Sequence, residues 1–203
     1  MLRSALVVRL TTVVAVVLGS AASALATPAL AAPVREPARA DAFAWLTPIA
    51  APASWRPLVI SSGAATLWSP PSFTALPGDP GSATAGLRDA NGIYREYLNT
   101  TPRQGDEQLR GFAAFRVHLI AEDHDAAVRE EARAEHVAFR GGQGSCVMDH
   151  YVTRVGHRRY REIACLVMSA AGHGAVIVAA ASPSDWNRYQ STLRTAIASF
   201  SVV

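Results

Sequence analysis

The chain has 203 residues, of which 50% are hydrophobic and 17% are charged, a balance that excludes an intrinsically disordered polyampholyte. All 19 of its basic residues are arginines, and with 16 acidic residues they give a formal net charge of +3. Two of these arginines lie in the leader described next, so 17 basic residues remain against 16 acidic ones, too small an excess to attract nucleic acid in general.

The first 31 residues have the pattern of a secretory signal peptide. Arg3 and Arg9 form a basic start, residues 10–18 are apolar, and small residues follow. Small-x-small cleavage sites occur at residues 24–26 and 29–31, and the sequence does not choose between them. The apolar run is short for a membrane span, and an uncleaved signal anchor is the alternative. We therefore expect a secreted or cell-envelope protein with no stable membrane span in the mature chain.

The segment after the leader predicts a linker and then a folded domain. Residues 32–43 are rich in proline and alanine, carry both signs of charge and lack periodicity, which is typical of a flexible linker. A single domain is then predicted over residues 44–203, long enough for one substantial core. Near its start, residues 78–86 are predicted as a loop and residues 93–98 as a short strand.

The next two segments are predicted as a strand and a helix. Side chains alternate along residues 110–121, which predicts a strand, although the many alanines weaken the pattern. A helix is predicted from residue 125 to residue 139, with Asp123 as its N-cap and with Gly141 and Gly142 at its end.

Two cysteines set the register of a predicted hairpin. Strand-like residues 146–152 and 160–168 are separated by one turn-like stretch, residues 153–157. Folding the chain at that turn places Cys146 opposite Cys165, at a separation that a disulfide can bridge. Because exported proteins fold in an oxidising compartment, we predict a disulfide rather than two free thiols. The same register pairs Met148 with Ile163, His150 with Arg161 and Tyr151 with Tyr160.

The C-terminal part completes the predicted fold. The continuous apolar run over residues 174–181 predicts a central strand that is buried on both faces. Ser182, as N-cap, and Pro183 mark the start of an amphipathic helix. The element order predicts an α+β fold, an antiparallel β-sheet flanked by helices and held by one disulfide. The apolar stripe of the last helix is Trp186, Tyr189, Leu193, Ile197 and Phe200.

The sequence lacks the motifs of the common catalytic and cofactor-binding sites. It has no zinc-protease helix motif, no paired-cysteine metal site, no phosphate loop and no nucleophile elbow. We therefore assign no catalytic, metal-binding or cofactor-binding residue. One alternative stays open: His118 and His150, both on predicted strands, could meet beside Asp149 or Glu162 as a metal or general-base cluster. Separate histidines, each hydrogen-bonded locally, are the other interpretation of the full set, His118, His124, His136, His150, His157 and His173.

Four stretches carry a family resemblance: residues 67–71, 97–107, 144–147 and 162–167. Together they resemble an uncharacterised family of exported proteins from high-G+C actinobacteria. The layout of that family is similar in turn to the PsbP-like fold, in which helices sandwich an antiparallel sheet. The resemblance implies an extrinsic binding or assembly protein that works without cofactor-driven catalysis.

The most distinctive of these stretches is residues 101–107, which joins two predicted strands. It is either a long polar turn or a binding loop. As a binding loop, its candidate recognition groups are Arg103, Gln104, Asp106 and Glu107.

These observations predict a secreted, non-enzymatic binding or assembly module of the cell envelope. Its partner would be an unknown protein or envelope component, with no nucleic acid and no cofactor. One alternative is a secreted hydrolase or metal-dependent enzyme that uses His118 and His150. Another is a small-ligand carrier with a pocket between the sheet and the C-terminal helix, near Trp186.

Overall fold

The computed structural model describes residues 40–123 and 127–203, so the predicted signal peptide, most of the predicted linker and His124 lie outside the described residues. A short 3-10 turn, Ala40–Phe43, comes first, and the helices are α1 (Phe112–Asp123) and α2 (Trp186–Ser199). The strands are β1 (Arg56–Val59), β2 (Ala65–Ser69), β3 (Thr74–Leu76), β4 (Ala83–Arg88), β5 (Tyr94–Pro102), β6 (Arg129–Phe139), β7 (Gly142–Val152), β8 (Arg159–Ser169), β9 (Gly174–Ala181) and β10 (Ser201–Val202).

The strands form two sheets. The large sheet has the order β3-β4-β5-β9-β8-β7-β6, and the small one has the order β1-β2-β10. Neighbouring strands in both sheets run antiparallel. The predicted α+β class, an antiparallel sheet with helices against it, is confirmed.

The two faces of the large sheet are covered differently. On one face, Ile177 of β9 packs with Leu193 and Ile197 of α2 in the main core, which also includes the small sheet. On the other face, Val176 and Val178 pack in a separate cluster with α1 residues such as Phe112. We call these the α2 face and the α1 face of the large sheet.

The predicted hairpin register is confirmed. Strands β7 and β8 pair Cys146 with Cys165, as well as each of the other predicted pairs. The two cysteines form a disulfide, and both are fully buried on the α2 face. In the turn between the strands, the backbone N–H of Thr153 donates to the carbonyl oxygen of Arg158 at 2.8 Å.

The predicted secondary structure of two consecutive segments is wrong, because each has the type predicted for the other. The predicted strand over residues 110–121 is helix α1, and the predicted helix over residues 125–139 is strand β6. Helix α1 buries Phe112 and Ile120. Strand β6 is rich in good helix formers, but its ladder with β7 overrides that local preference.

Smaller corrections concern the ends of elements. Gly141 and Gly142 do not end a helix but lie where β6 turns into β7. Part of the predicted loop over residues 78–86 is strand β4, and β5 continues beyond residue 98 to Pro102. The N-cap of α2 is Asp185 rather than Ser182, because a turn precedes the helix. In that turn the Ser182 hydroxyl donates to Asp185 Oδ2 at 2.8 Å.

Candidate functional site

Helix α1 leaves half of its sheet face open. The helix contacts β7 and β6 at one side of the sheet. Beside the helix, over strands β9, β5 and β4, lies a cavity of about 580 Å³, a size typical of small-ligand sites. Its floor is formed by Val176, Val178, Asn99, Thr101 and Thr84.

Four tyrosines form one end of this cavity: Tyr94, Tyr97, Tyr151 and Tyr160. The hydroxyls of Tyr97 and Tyr151 share a hydrogen bond of 2.8 Å, and the Tyr160 hydroxyl donates to the carbonyl oxygen of Tyr94 at 2.8 Å. Burial is the main cause that raises the pKa of Tyr97, Tyr151 and Tyr160. These hydroxyls are therefore neutral hydrogen-bonding groups at physiological pH rather than bases.

A buried ionic cluster lies next to these tyrosines. Asp149 of β7 and Glu162 of β8 are directly opposed in register, and both are fully buried. Arg116 of α1 donates from Nε to Glu162 Oε1 at 3.0 Å, and its Nη2 lies 2.9 Å from the same oxygen. Burial first, and then the charge of Glu162, raise the pKa of Asp149 to about 8. Of these three residues, Arg116 lines the cavity.

The predicted binding loop forms the other end of the cavity. Gln104 and Glu107 line it, whereas Arg103 and Asp106 are exposed outside it. Arg103 Nε donates to the carbonyl oxygen of Glu107 at 2.6 Å, and the backbone N–H of Gln104 donates to Glu107 Oε2 at 2.7 Å. Burial raises the pKa of Glu107. The loop joins β5 to α1 rather than two strands, and the hydrogen bonds within the loop stabilise its conformation.

The structure does not bring His118 and His150 together. His118 lies on helix α1 rather than on a strand, is 74% exposed, and its Nε2 is 3.2 Å from Glu122 Oε1. His150 lies on β7, where its Nδ1 is 3.3 Å from Glu131 Oε1. Along β7 it alternates with Asp149, so its side chain is on the α2 face. Within residues 40–123 and 127–203, no group of three or more potential metal ligands occurs.

The predicted pocket near Trp186 is filled by packing. Trp186 is buried in the main core, and the guanidinium carbon of Arg161 lies 4.6 Å from the centre of its ring. The cavity lies on the opposite face of the sheet. In the part of the chain that the structure describes, neither helix is long and apolar enough to cross a membrane.

Sequence reasoning missed most of the cavity, although β5 carries a signal. Tyr97, Asn99 and Thr101 alternate along a strand that has neighbours on both sides. A partly polar face on an interior strand indicates that no helix covers that face. The other lining residues come from distant segments and follow no pattern in the sequence.

Comparisons with known proteins give structural similarity alone. No protein family model matches the chain, and no curated protein matches it in sequence. The Ran-binding protein Mog1p of Saccharomyces cerevisiae is similar, with a TM-score of 0.47 and 13% identity over 73% of this chain and 95% of that one. The cyanobacterial PsbP of Synechocystis has a TM-score of 0.48 and 14% identity over 75% of this chain and 94% of its own.

A third similar structure is LpqN of Mycobacterium tuberculosis, which is involved in cell envelope biogenesis. Its TM-score is 0.39, with 14% identity over 75% of this chain and 80% of that chain. A PsbP structure is thus among the similar structures, as the family resemblance implied, but no sequence match identifies the actinobacterial family. At these identities and TM-scores, the similarities say nothing about what this chain binds.

Proposed function

We propose that this chain is a secreted, non-enzymatic binding module of the cell envelope and that the cavity beside α1 is its binding site. The observation that carries the proposal is the half-open α1 face, where a cavity of about 580 Å³ is lined by aromatic and hydrogen-bonding side chains. Pockets of this size and composition are the usual places where proteins hold small molecules or single groups of larger partners.

The position of the ionisable groups favours binding over catalysis. A general acid or base must come within hydrogen-bond reach of the substrate. Asp149 and Glu162 are fully buried and do not line the cavity, and the tyrosines keep their protons at neutral pH because burial raises their pKa. Glu107 does line the cavity, but its Oε2 is held by a backbone N–H within the loop. His118 and His150, which the enzymatic alternative requires, lie apart.

The loop over residues 101–107 is part of the proposed site. Gln104 and Glu107 are its recognition groups at the cavity, and the bond from Arg103 to the Glu107 carbonyl holds them in place. Asp106 is exposed and available to a larger partner that covers the rim.

Export belongs to the same proposal. The pattern of residues 1–31 supports a signal peptide, residues 32–43 a linker, and residues 44–203 the binding domain. The buried disulfide between Cys146 and Cys165 supports an extracytoplasmic location, because such bonds persist in oxidising compartments.

The test is whether filling the cavity removes a bound compound. The protein is incubated with an extract of its native envelope, repurified and denatured, and the released small molecules are identified by mass spectrometry. Thr101→Phe fills the cavity floor, and Thr66→Phe makes the same change on the small sheet, away from the cavity.

We expect the wild type and Thr66→Phe to release the same compound and Thr101→Phe to release at least ten times less. Equal release from all three proteins, or no specific compound from the wild type, would show that the cavity is not the binding site. Denaturation curves of both variants establish that each one is folded.

A further inference from the structure

The ionic cluster behind the cavity has one positive charge for two carboxyl groups. Asp149 and Glu162 are fully buried and opposed in register, and three of their four oxygens have no hydrogen-bond partner among the described residues. The other carboxylates near Asp149 are already paired: Glu130 with Arg133, and Glu131 with Arg161. Arg116 is therefore the cation that compensates this pair.

Arg116 also reaches the cavity. Its Nε and Nη2 contact Glu162, while its Nη1 makes no hydrogen bond with a described residue. The side chain is 20% exposed and lines the cavity. One edge of the guanidinium is thus used for the buried pair, and the other edge can donate to a ligand.

The cluster is electrically balanced at neutral pH. Because the pKa of Asp149 is raised to about 8, this group keeps its proton there, and the charges of Arg116 and Glu162 cancel. A ligand anion at the free edge of Arg116 would place a second negative charge beside buried Glu162, with Arg116 as the cation they share, which is costly. A ligand cation at the same place would be repelled by Arg116. A neutral acceptor oxygen disturbs neither charge.

Three further charged residues line the cavity. Asp79 and Arg158 are exposed and of opposite sign. The third, Glu107, has a buried carboxyl group with a raised pKa, which accepts a hydrogen bond from the Gln104 N–H.

Neutral hydrogen-bonding side chains and aromatic rings form much of the rest of the lining. Asn99 Nδ2 donates to Thr84 Oγ1 at 2.7 Å, and neither the Asn99 nor the Thr101 side chain carries a charge. Gln104 lies at one end of the cavity and the tyrosines at the other. Such a lining offers donors and acceptors to hydroxyl groups and an apolar surface to a carbon skeleton.

We propose that the cavity binds an uncharged, polyhydroxylated small molecule, a polyol or simple sugar, one oxygen of which accepts a hydrogen bond from Arg116. This inference rests on the proposed function, since it names the class of ligand for the same site.

The test compares three ring compounds of similar shape and different charge. Glucose, glucuronate and glucosamine are titrated separately at neutral pH into the isotopically labelled protein, and backbone amide shifts are followed by NMR. We expect glucose to shift the amides of Thr101 and Val178 and to bind at least tenfold more tightly than either charged analogue.

Tighter binding of glucuronate or glucosamine, or no binding of glucose at concentrations up to about 50 mM, would overturn the inference. The envelope-extract experiment separates this failure from failure of the proposed function. A charged compound that Thr101→Phe loses would leave the cavity as the binding site but with the wrong ligand class.

A charge-neutral double variant tests the role of Arg116. Arg116→Met combined with Glu162→Gln removes the ion pair without leaving a lone buried charge, and the matched control Arg133→Met with Glu130→Gln removes an ion pair on β6. We expect at least a tenfold loss of glucose affinity in the first double variant and none in the second. Unchanged glucose binding by the folded first variant would refute the assignment of Arg116.

Discussion

Replacing Glu96 with glutamine is expected to stabilise the protein at alkaline pH and to change its stability little at about pH 5. Glu96 lies on the α2 face of β5, is fully buried, and neither of its carboxylate oxygens has a hydrogen-bond partner among the described residues. Burial, and then the neighbouring Asp185, raise its pKa from 4.5 to about 7.

The size of the effect follows from this difference in pKa. The folded carboxyl keeps its proton to a higher pH than the unfolded one, so the free energy of unfolding falls as the pH rises from 4.5 to about 7. At about 1.4 kcal/mol for each pH unit, the loss is about 3 kcal/mol once Glu96 is ionised. Glutamine has the same shape and stays neutral, so the variant avoids this loss.

Urea denaturation at about pH 5 and about pH 9 measures the effect. The advantage of Glu96→Gln over the wild type should be below about 1 kcal/mol at the lower pH, which is only slightly above 4.5, and about 3 kcal/mol at the higher one. Glu122→Gln changes a carboxylate that is 63% exposed and should follow the wild type at both values. An equal difference between Glu96→Gln and the wild type at the two pH values would refute the reasoning, because Glu96 would then not titrate between them.

Two further predictions concern the disulfide and a backbone turn. Cys146→Ala with Cys165→Ala opens a cross-link between residues 19 positions apart and should lower the free energy of unfolding by about 3 kcal/mol. Reductant should destabilise the wild type equally and leave this variant unchanged in the same urea assay. Gly141 and Gly92 both have positive φ, but an added Cβ would collide with the carbonyl oxygen of Val202 only at Gly141. Gly92→Ala should therefore cost about 1 kcal/mol and Gly141→Ala about 3 kcal/mol, and equal losses in thermal denaturation would contradict the role of this close approach.

The register of the β7–β8 hairpin could be predicted because it depends on neighbouring residues. One turn and one cysteine pair determine which residues oppose each other, and the pairing of Cys146 with Cys165 extends along both strands. The apolar period of the C-terminal helix is a similarly local signal, and Leu193 and Ile197 are fully buried as predicted.

The exchange of α1 and β6 had a different cause. In both segments, alanine and charged residues are compatible with either a helix or a strand, so tertiary contacts determine the secondary structure. Residues 129–139 form a strand because they pair with β7. Residues 112–123 form a helix that packs Phe112 against the sheet. The cavity could not be predicted because it lies where α1 covers the sheet face only in part. Its lining joins segments as distant as Thr84 and Val178, which no local pattern relates.

The small sheet has a consequence for the order in which the protein can fold. Strand β2 lies between β1 and β10, and the latter pairs Ser201 with Thr66, a residue from the first half of the chain. A chain that emerges N-terminus first, from a ribosome or a translocation pore, can form the β1–β2 pair early. It cannot complete that sheet until residue 202 has emerged. Closure of the small sheet therefore comes after all the other strands have emerged, and until then β2 presents an unpaired edge that a chaperone could bind.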